Sequence, residues 1–137
     1  MARLEGWEQR LDALIEAARD RPYVLGEHDC FRVACAVIEA LTGVDRWPEW
    51  AGRYSTKREA LVLLAQYGSS FEAAGDRFFD SPRMDWKLAR RGDIVALATP
   101  DGEKHLGVVL DHRAAFLGVG GLSWFPASAA LCAWRIG

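Results

Sequence analysis

The chain has 137 residues, of which 50% are apolar, 11% aromatic and 26% charged, an ordinary globular composition at about one domain's length. No apolar run approaches the roughly 20 residues of a membrane-spanning helix, and the N-terminus has no signal-peptide core, so no membrane span is expected. The 17 Lys and Arg against 19 Asp and Glu leave no basic excess, which argues against a nucleic-acid partner. We therefore expect one domain over residues 1–137.

The first part of the chain is predicted to be helical. Apolar residues at helical spacing predict an amphipathic helix that ends before Pro22, since proline disfavours helix at the preceding residue. A long apolar run predicts a buried helix that begins at Asp29 or Cys30 and stops at Gly43. Thr56 begins a third helix with capping-box spacing. The predicted helices cover residues 3–19, 30–41, 57–66 and about 70–77, and residues 44–54 form an irregular loop pinned by aromatic side chains.

The remainder of the chain is predicted to form strands. Short apolar runs alternate with Gly-containing turns from residue 92 onward. The predicted strands are residues 93–99, 104–110, 114–117, 122–125 and 133–136. Hairpin spacing makes the sheet antiparallel, so we predict an α+β protein in which N-terminal helices pack on a sheet of about five strands.

Cys30 is the candidate nucleophile. It stands where the loop of residues 26–29 enters the apolar helix, and a cysteine in a first helical turn faces free backbone N–H groups and the positive end of the helix dipole. Asp29 is the expected N-cap, and its charge opposes the dipole. We expect the dipole and a nearby base to lower the pKa of Cys30. The same position is also typical of a small core cysteine.

His105 is the candidate base. It begins an apolar strand, and a helix N-terminus packed on that strand would bring the two side chains together. Gly107 lies on the same strand face and should leave room beside the imidazole. His28 is two residues from Cys30 and should point away from it.

The cysteines also allow other interpretations. Three cysteines without a CxxC pair favour a reducing, cytosolic origin. Zinc sites usually take paired ligands from short spacings, whereas Cys30 and Cys35 lie five residues apart on different helix faces, so neither a metal nor a cofactor is expected. Cys35 and Cys132 stand in apolar surroundings and should be inert.

Three motifs resemble those of the NlpC-type cell-wall cysteine peptidases. Residues 22–26 (PYVLG) followed by Asp29-Cys30 resemble the segment that carries the family's nucleophile. Residues 91–95 (RGDIV) resemble its Pro-Gly-Asp strand, and residues 105–110 (HLGVVL) resemble its histidine strand. The chain is especially similar to the small members encoded in tail-gene clusters of phages, prophages and gene-transfer agents.

This resemblance implies a papain-like fold and a thiol protease that cuts amide bonds in the peptide stems of peptidoglycan. Cys30 would be the nucleophile and His105 the general base and acid. The Tyr23 hydroxyl would support the oxyanion beside the Cys30 N–H. In this family a polar third residue orients the histidine, but here its place falls near Phe116 or Leu117, which are apolar. Asp111 or His112 could substitute for it, although both have the sequence context of turn residues.

The resemblance also implies a partner and a location. The protein would be made in the bacterial cytoplasm, assembled into a phage or phage-like tail, and delivered to the periplasm or cell wall. Its partner would be a tail-tip or hub protein, bound through exposed aromatics such as Trp47, Trp50 and Trp86. The alternative is a structural tail-tip component in which the Cys–His site is vestigial.

Overall fold

The computed structural model describes residues 2–137, and within them four helices precede a five-stranded antiparallel sheet. The helices are α1 (Trp7–Ala18), α2 (Cys30–Thr42), α3 (Lys57–Ala65) and α4 (Phe71–Phe78). The strands are β1 (Ile94–Ala98), β2 (Lys104–Val109), β3 (Arg113–Gly118), β4 (Gly121–Pro126) and β5 (Cys132–Trp134). The predicted α+β class is confirmed. Within residues 2–137, no helix is long and apolar enough to span a membrane.

Helix α2 begins and ends where its sequence predicts. One carboxylate oxygen of Asp29 accepts the backbone N–H of Arg32 at 2.9 Å, which satisfies a free donor of the first turn. At the other end Gly43 adopts a left-handed conformation with φ of 80°, which costs glycine little. Cys30 is therefore the first helical residue.

The sheet has the order β4-β3-β2-β1-β5. The first four strands form the expected meander, in which each strand pairs with the next along the chain. Strand β5 instead lies at the opposite edge from β4, where Trp134 pairs with Ile94 and Cys132 with Ala96. The chain therefore crosses the sheet before it forms its last strand.

The main core lies between the helices and one face of the sheet. Val37 and Leu41 of α2 pack there with Ile94, Val108 and Trp134 from the strands. A smaller apolar cluster covers the other face and contains Val95, Val109, Ala114, Phe116 and Ala133. Strand alternation explains the division, because neighbouring residues of one strand point to opposite faces.

The aromatic loop between α2 and α3 is packed more deeply than predicted. Trp50 is only 2% exposed, and its ring stacks on Phe31 and Tyr67 with centroids 4.7 and 5.5 Å apart. The prediction that Trp50 belongs to an exposed docking surface is therefore wrong, because the loop folds its ring into the core. Trp47 and Trp86 are partly buried.

Candidate active site

The thiol of Cys30 faces the start of strand β2. The backbone N–H of Leu106, the residue next to His105, points toward the Cys30 sulfur, as do the N–H groups of Cys30 and Phe31. Helix α2 packs on β2, so the helix start and the strand start lie side by side. Cys30 is partly buried, whereas Cys35 and Cys132 are 1% and 6% exposed.

Cys30, His105 and Tyr23 line one cleft of about 420 Å³. Its walls come from the start of α2, from helices α3 and α4, and from the turn between β1 and β2. The other lining residues are Leu25, Phe31, Lys57, Ala60, Leu61, Leu64, Phe71, Gly102, Glu103 and Lys104. The structure thus brings together the three residues that the sequence selects.

His105 stands at the open end of its strand. It pairs with Leu97 of β1, while the pairing of β2 with β3 begins only at Gly107 opposite Phe116. The imidazole is about one-third exposed, at 34%. At His105, strand β2 is therefore paired with β1 but not yet with β3, and the imidazole lines the cleft.

The space beside Gly107 is filled, which corrects one expectation. A Cβ at Gly107 would lie 2.4 Å from the ring of Phe116, so that ring covers the strand where room for the imidazole was predicted. Phe116 is 6% exposed and belongs to the small apolar cluster. The glycine is needed for close packing of an aromatic ring.

No polar side chain among the described residues replaces the missing third residue on strand β3. Phe116 is apolar, and Leu117 packs against the main core. Asp111 is bonded to Arg113 at the turn between β2 and β3, and the neighbouring His112 is 84% exposed. These two residues are turn residues, as their sequence context predicts, and they do not line the cleft.

His28 points away from Cys30, as expected. It bridges to Val24 in the loop before α2 and lines a separate cavity with Arg21 and Arg32. Burial, followed by the charge of Arg21, lowers the pKa of His28. Its imidazole therefore takes no part in the cleft.

The expectation of a lowered pKa for Cys30 is wrong for the resting structure. Burial raises the pKa of this thiol to about 12, and the negative charge of Asp29 adds to the rise. The backbone N–H of Leu106, with those of the first helical turn, opposes the rise but does not cancel it. Burial also raises the pKa of Cys35 to about 12 and that of Cys132 to about 11. Cys30 differs from the other two cysteines by its place in the cleft, not by a resting thiolate.

Asp29 is the N-cap of α2, as predicted, and it also binds two groups outside the helix. Besides the N–H of Arg32, it accepts the backbone N–H of Gly26 at 2.9 Å and the hydroxyl of buried Tyr54. Burial is the main cause that raises the pKa of Tyr23, and the negative charge of Asp29 adds to the rise. The Tyr23 hydroxyl is a proton donor near neutral pH, as an ordinary tyrosine is.

Two cleft residues were not foreseen. Lys57 at the start of α3 forms an ion pair with Glu103 of the β1–β2 turn, and the pair joins two walls of the cleft. One carboxylate oxygen of Glu103 lies 4.0 Å from Nε2 of His105. The sequence shows an acidic residue, Glu103, two positions before His105. Its ion pair with Lys57 of α3 depends on the tertiary fold and could not be read from that spacing.

Within residues 2–137, no group of three or more His, Cys, Asp and Glu side chains is arranged to hold a metal ion.

Comparison with known protein families places almost the entire chain in one of them. Residues 2–136 match the family described as "Domain of unknown function (DUF6950)". The chain belongs to this family. No curated protein matches it.

Proposed function

We propose that the chain is a papain-like, NlpC-type cysteine peptidase that hydrolyses amide bonds in the peptide stems of the cell wall. The observation that carries the proposal is the shared cleft, in which a thiol at a helix start, an imidazole at a strand start and a tyrosine side chain line the same space. Nucleophilic catalysis by cysteine requires a base at such a position.

Cys30, His105 and Tyr23 have different roles in the proposed reaction. Because its pKa is raised, Cys30 rests as a thiol and passes its proton to His105 as the sulfur attacks the amide carbonyl. The Cys30 N–H and the Tyr23 hydroxyl then stabilise the oxyanion. His105 returns the proton to the leaving amine as the C–N bond breaks, and the acyl group stays on Cys30. His105 then deprotonates a water molecule that attacks the thioester carbonyl, the C–S bond breaks to release the acid, and His105 returns the proton to the Cys30 sulfur.

Two observations favour a second candidate function, a structural tail-tip component with a vestigial site. The place of the polar third residue falls near Phe116 or Leu117, which are both apolar, and burial disfavours the thiolate of Cys30. Loss of an orienting residue lowers the rate of such enzymes and leaves the nucleophile and base in place. A cell-wall peptidase with a reduced rate is therefore compatible with both observations.

The proposed partner is a tail-tip or hub protein of a phage or phage-like particle. In this proposal the protein is made in the bacterial cytoplasm and delivered with the tail to the periplasm or cell wall. Trp47 and Trp86 remain candidate contact residues, since both are partly exposed.

The test compares wild-type protein with Cys30→Ala and with Cys35→Ala as the matched control. Purified peptidoglycan is incubated with each protein, and newly released amino groups are counted. We expect Cys30→Ala to abolish release and Cys35→Ala to retain it. Thermal unfolding of each variant shows that the fold is intact.

Two outcomes would contradict the peptidase. Unchanged release by Cys30→Ala would remove the assigned nucleophile. No release by wild-type protein, either alone or with its tail partner, would favour the structural component.

A further inference from the structure

We propose that Glu103 is the positioning residue of this site: its carboxylate accepts a hydrogen bond from Nε2 of His105 and leaves Nδ1 to exchange a proton with Cys30. This inference rests on the proposed function, because the orientation of His105 matters only if its ring transfers protons. The β1–β2 turn then supplies what the related enzymes take from the strand after the histidine.

Glu103 and His105 lie on the same side of the chain. They are two positions apart, and alternate residues of an extended segment point to one face. Oε2 of Glu103 lies 4.0 Å from Nε2 of His105, and both side chains line the cleft with Cys30. A shift of about 1 Å brings the two atoms to hydrogen-bond distance, and the hydrogen bonds of catalytic groups are often long before substrate binds.

The carboxylate of Glu103 is held from its other side. Its second oxygen, Oε1, pairs with Nζ of Lys57 at the start of α3. Lys57 and His105 therefore lie at different oxygens of one carboxylate. An ionised carboxylate accepts hydrogen bonds at both oxygens, so the pair with Lys57 leaves Oε2 available to a ring N–H.

The backbone of Glu103 is fixed by the turn. Its carbonyl accepts the backbone N–H of Thr99 at 2.8 Å and the Thr99 hydroxyl at 3.2 Å. Its own N–H donates to a carboxylate oxygen of Asp101 at 3.0 Å. Because the side chain starts from a fixed backbone, its carboxylate is kept beside the imidazole, as positioning of a reacting group requires.

No other described acidic side chain competes for this role. Among residues 2–137, Glu103 supplies the sole carboxylate within 4.0 Å of a ring nitrogen of His105. The place predicted on β3, near Phe116 or Leu117, is apolar. An imidazole without an acceptor at its outer nitrogen can rotate about its side-chain torsions, and Glu103 is the group placed to prevent this.

Two substitutions at one position separate the hydrogen bond from the size of the side chain. Glu103→Gln keeps an oxygen that accepts from Nε2, whereas Glu103→Met keeps the length of the side chain with only a weak acceptor. Both remove the charge that pairs with Lys57, so loss of that pair cannot explain a difference between them. Glu72→Gln is the control, since it breaks the 2.6 Å pair with Lys104 and Glu72 does not line the cleft.

The first measurement is the labelling of His105 by diethyl pyrocarbonate, which acylates an imidazole nitrogen with a free lone pair. Peptide mass spectrometry gives the rate relative to His112, whose side chain is 84% exposed. A hydrogen bond to Glu103 protects Nε2. Glu103→Met should therefore raise the relative rate about fivefold, as the loss of one hydrogen bond predicts, while Glu103→Gln and Glu72→Gln stay within about twofold of wild type.

The second measurement is the cleavage of soluble stem peptides from peptidoglycan. Loss of orientation lowers kcat and leaves KM unchanged, because the ring contributes to the reaction rather than to ground-state binding. We expect Glu103→Met to lower kcat by about tenfold to a hundredfold, the effect of a misplaced reacting group. Glu103→Gln should retain most of the wild-type kcat.

Failure of the positioning role is distinguishable from failure of the peptidase. Wild-type labelling in Glu103→Met, or equal rises in Glu103→Met and Glu103→Gln, would overturn the hydrogen bond to Nε2. An unchanged kcat in Glu103→Met would overturn the role in the reaction. If wild-type protein cleaves no stem peptide, the peptidase falls, and the labelling alone decides whether Glu103 holds the imidazole of His105.

Discussion

Asp29 and Asp93 are both buried carboxylates, with 1% and 0% of their surfaces exposed, but their partners differ in charge. Asp93 faces two guanidinium groups, with Arg3 at 2.9 Å and Arg135 at 3.3 Å. It also accepts the backbone N–H groups of Arg90 and Ile136. Its charge is thus compensated by cations.

Among residues 2–137, the hydrogen-bond partners of Asp29 are neutral. Its oxygens accept two backbone N–H groups and the Tyr54 hydroxyl, and no described Lys, Arg or His forms a salt bridge with it. Burial is the main cause of the raised pKa of Cys30, Tyr23 and Tyr54, and the charge of Asp29 adds to the rise at each. The comparison shows that a buried carboxylate can tie segments together when cations match its charge, or add to the proton affinity of neighbouring groups when they do not.

The largest effect is expected at the compensated carboxylate. Asp93→Asn would leave the mostly buried guanidinium of Arg3 without its counter-charge, so the free energy of unfolding should fall by about 3–5 kcal/mol. Urea denaturation measures the change. Asp12→Asn is the control, since Asp12 pairs with Arg91 at the surface and should cost less than about 1 kcal/mol. Similar losses in the two variants would contradict the distinct role of Asp93.

A smaller effect is expected where the partner is neutral. Tyr54→Phe removes the hydroxyl that donates to Asp29, and we expect a loss of about 1.5–3 kcal/mol by the same measurement, because the acceptor is charged and buried. Tyr67→Phe is the matched control. Its hydroxyl donates to Glu49 at 2.9 Å, and Glu49 keeps Arg46 as a second partner. A loss in Tyr54→Phe no larger than in the control would show that Asp29 does not depend on this hydroxyl.

The smallest effect concerns the reactivity of Cys30. Because the pKa of the thiol is about 12, its alkylation by iodoacetamide should rise about tenfold per pH unit between pH 7 and 9, without a plateau. Asp29→Asn removes a charge that raises this pKa, so the pKa should fall and alkylation at pH 8 should become several-fold faster. The control, Asp20→Asn at an exposed residue, should leave the rate unchanged. A plateau near neutral pH in wild-type protein would indicate a resting thiolate.

Much of the fold could be predicted from local sequence. Hydrophobic patterning predicts all four helices and five strands, although α1 begins at Trp7, after the left-handed Gly6, and not at residue 3. Asp29, Gly43 and Thr56 mark helix ends, because caps depend on residues within one turn. The placement of β5 beside β1 could not be predicted in this way. It depends on pairing between Ile94 and Trp134, which lie far apart in the sequence.

In the candidate site too, local sequence predicted the residues, but properties that depend on the tertiary fold were not predicted. Residue type and position selected Cys30, Tyr23 and His105, and they line one cleft. The proton affinity of Cys30 was mispredicted, because burial and the fixed charge of Asp29 are properties of the folded chain. Tertiary packing likewise decided that Trp50 is buried and that Phe116 covers Gly107.

The Asp93 cluster has a consequence for the rate at which the fold is lost. Arg3 and Asp93 are separated by 90 positions along the chain, and Asp93 and Ile136 by 43. Closing such long loops costs chain entropy before the contacts can form, so we expect these contacts to be incomplete in the folding transition state. Interactions absent from that state act mainly by slowing unfolding. We infer that this cluster lengthens the lifetime of the folded protein more than it speeds its formation.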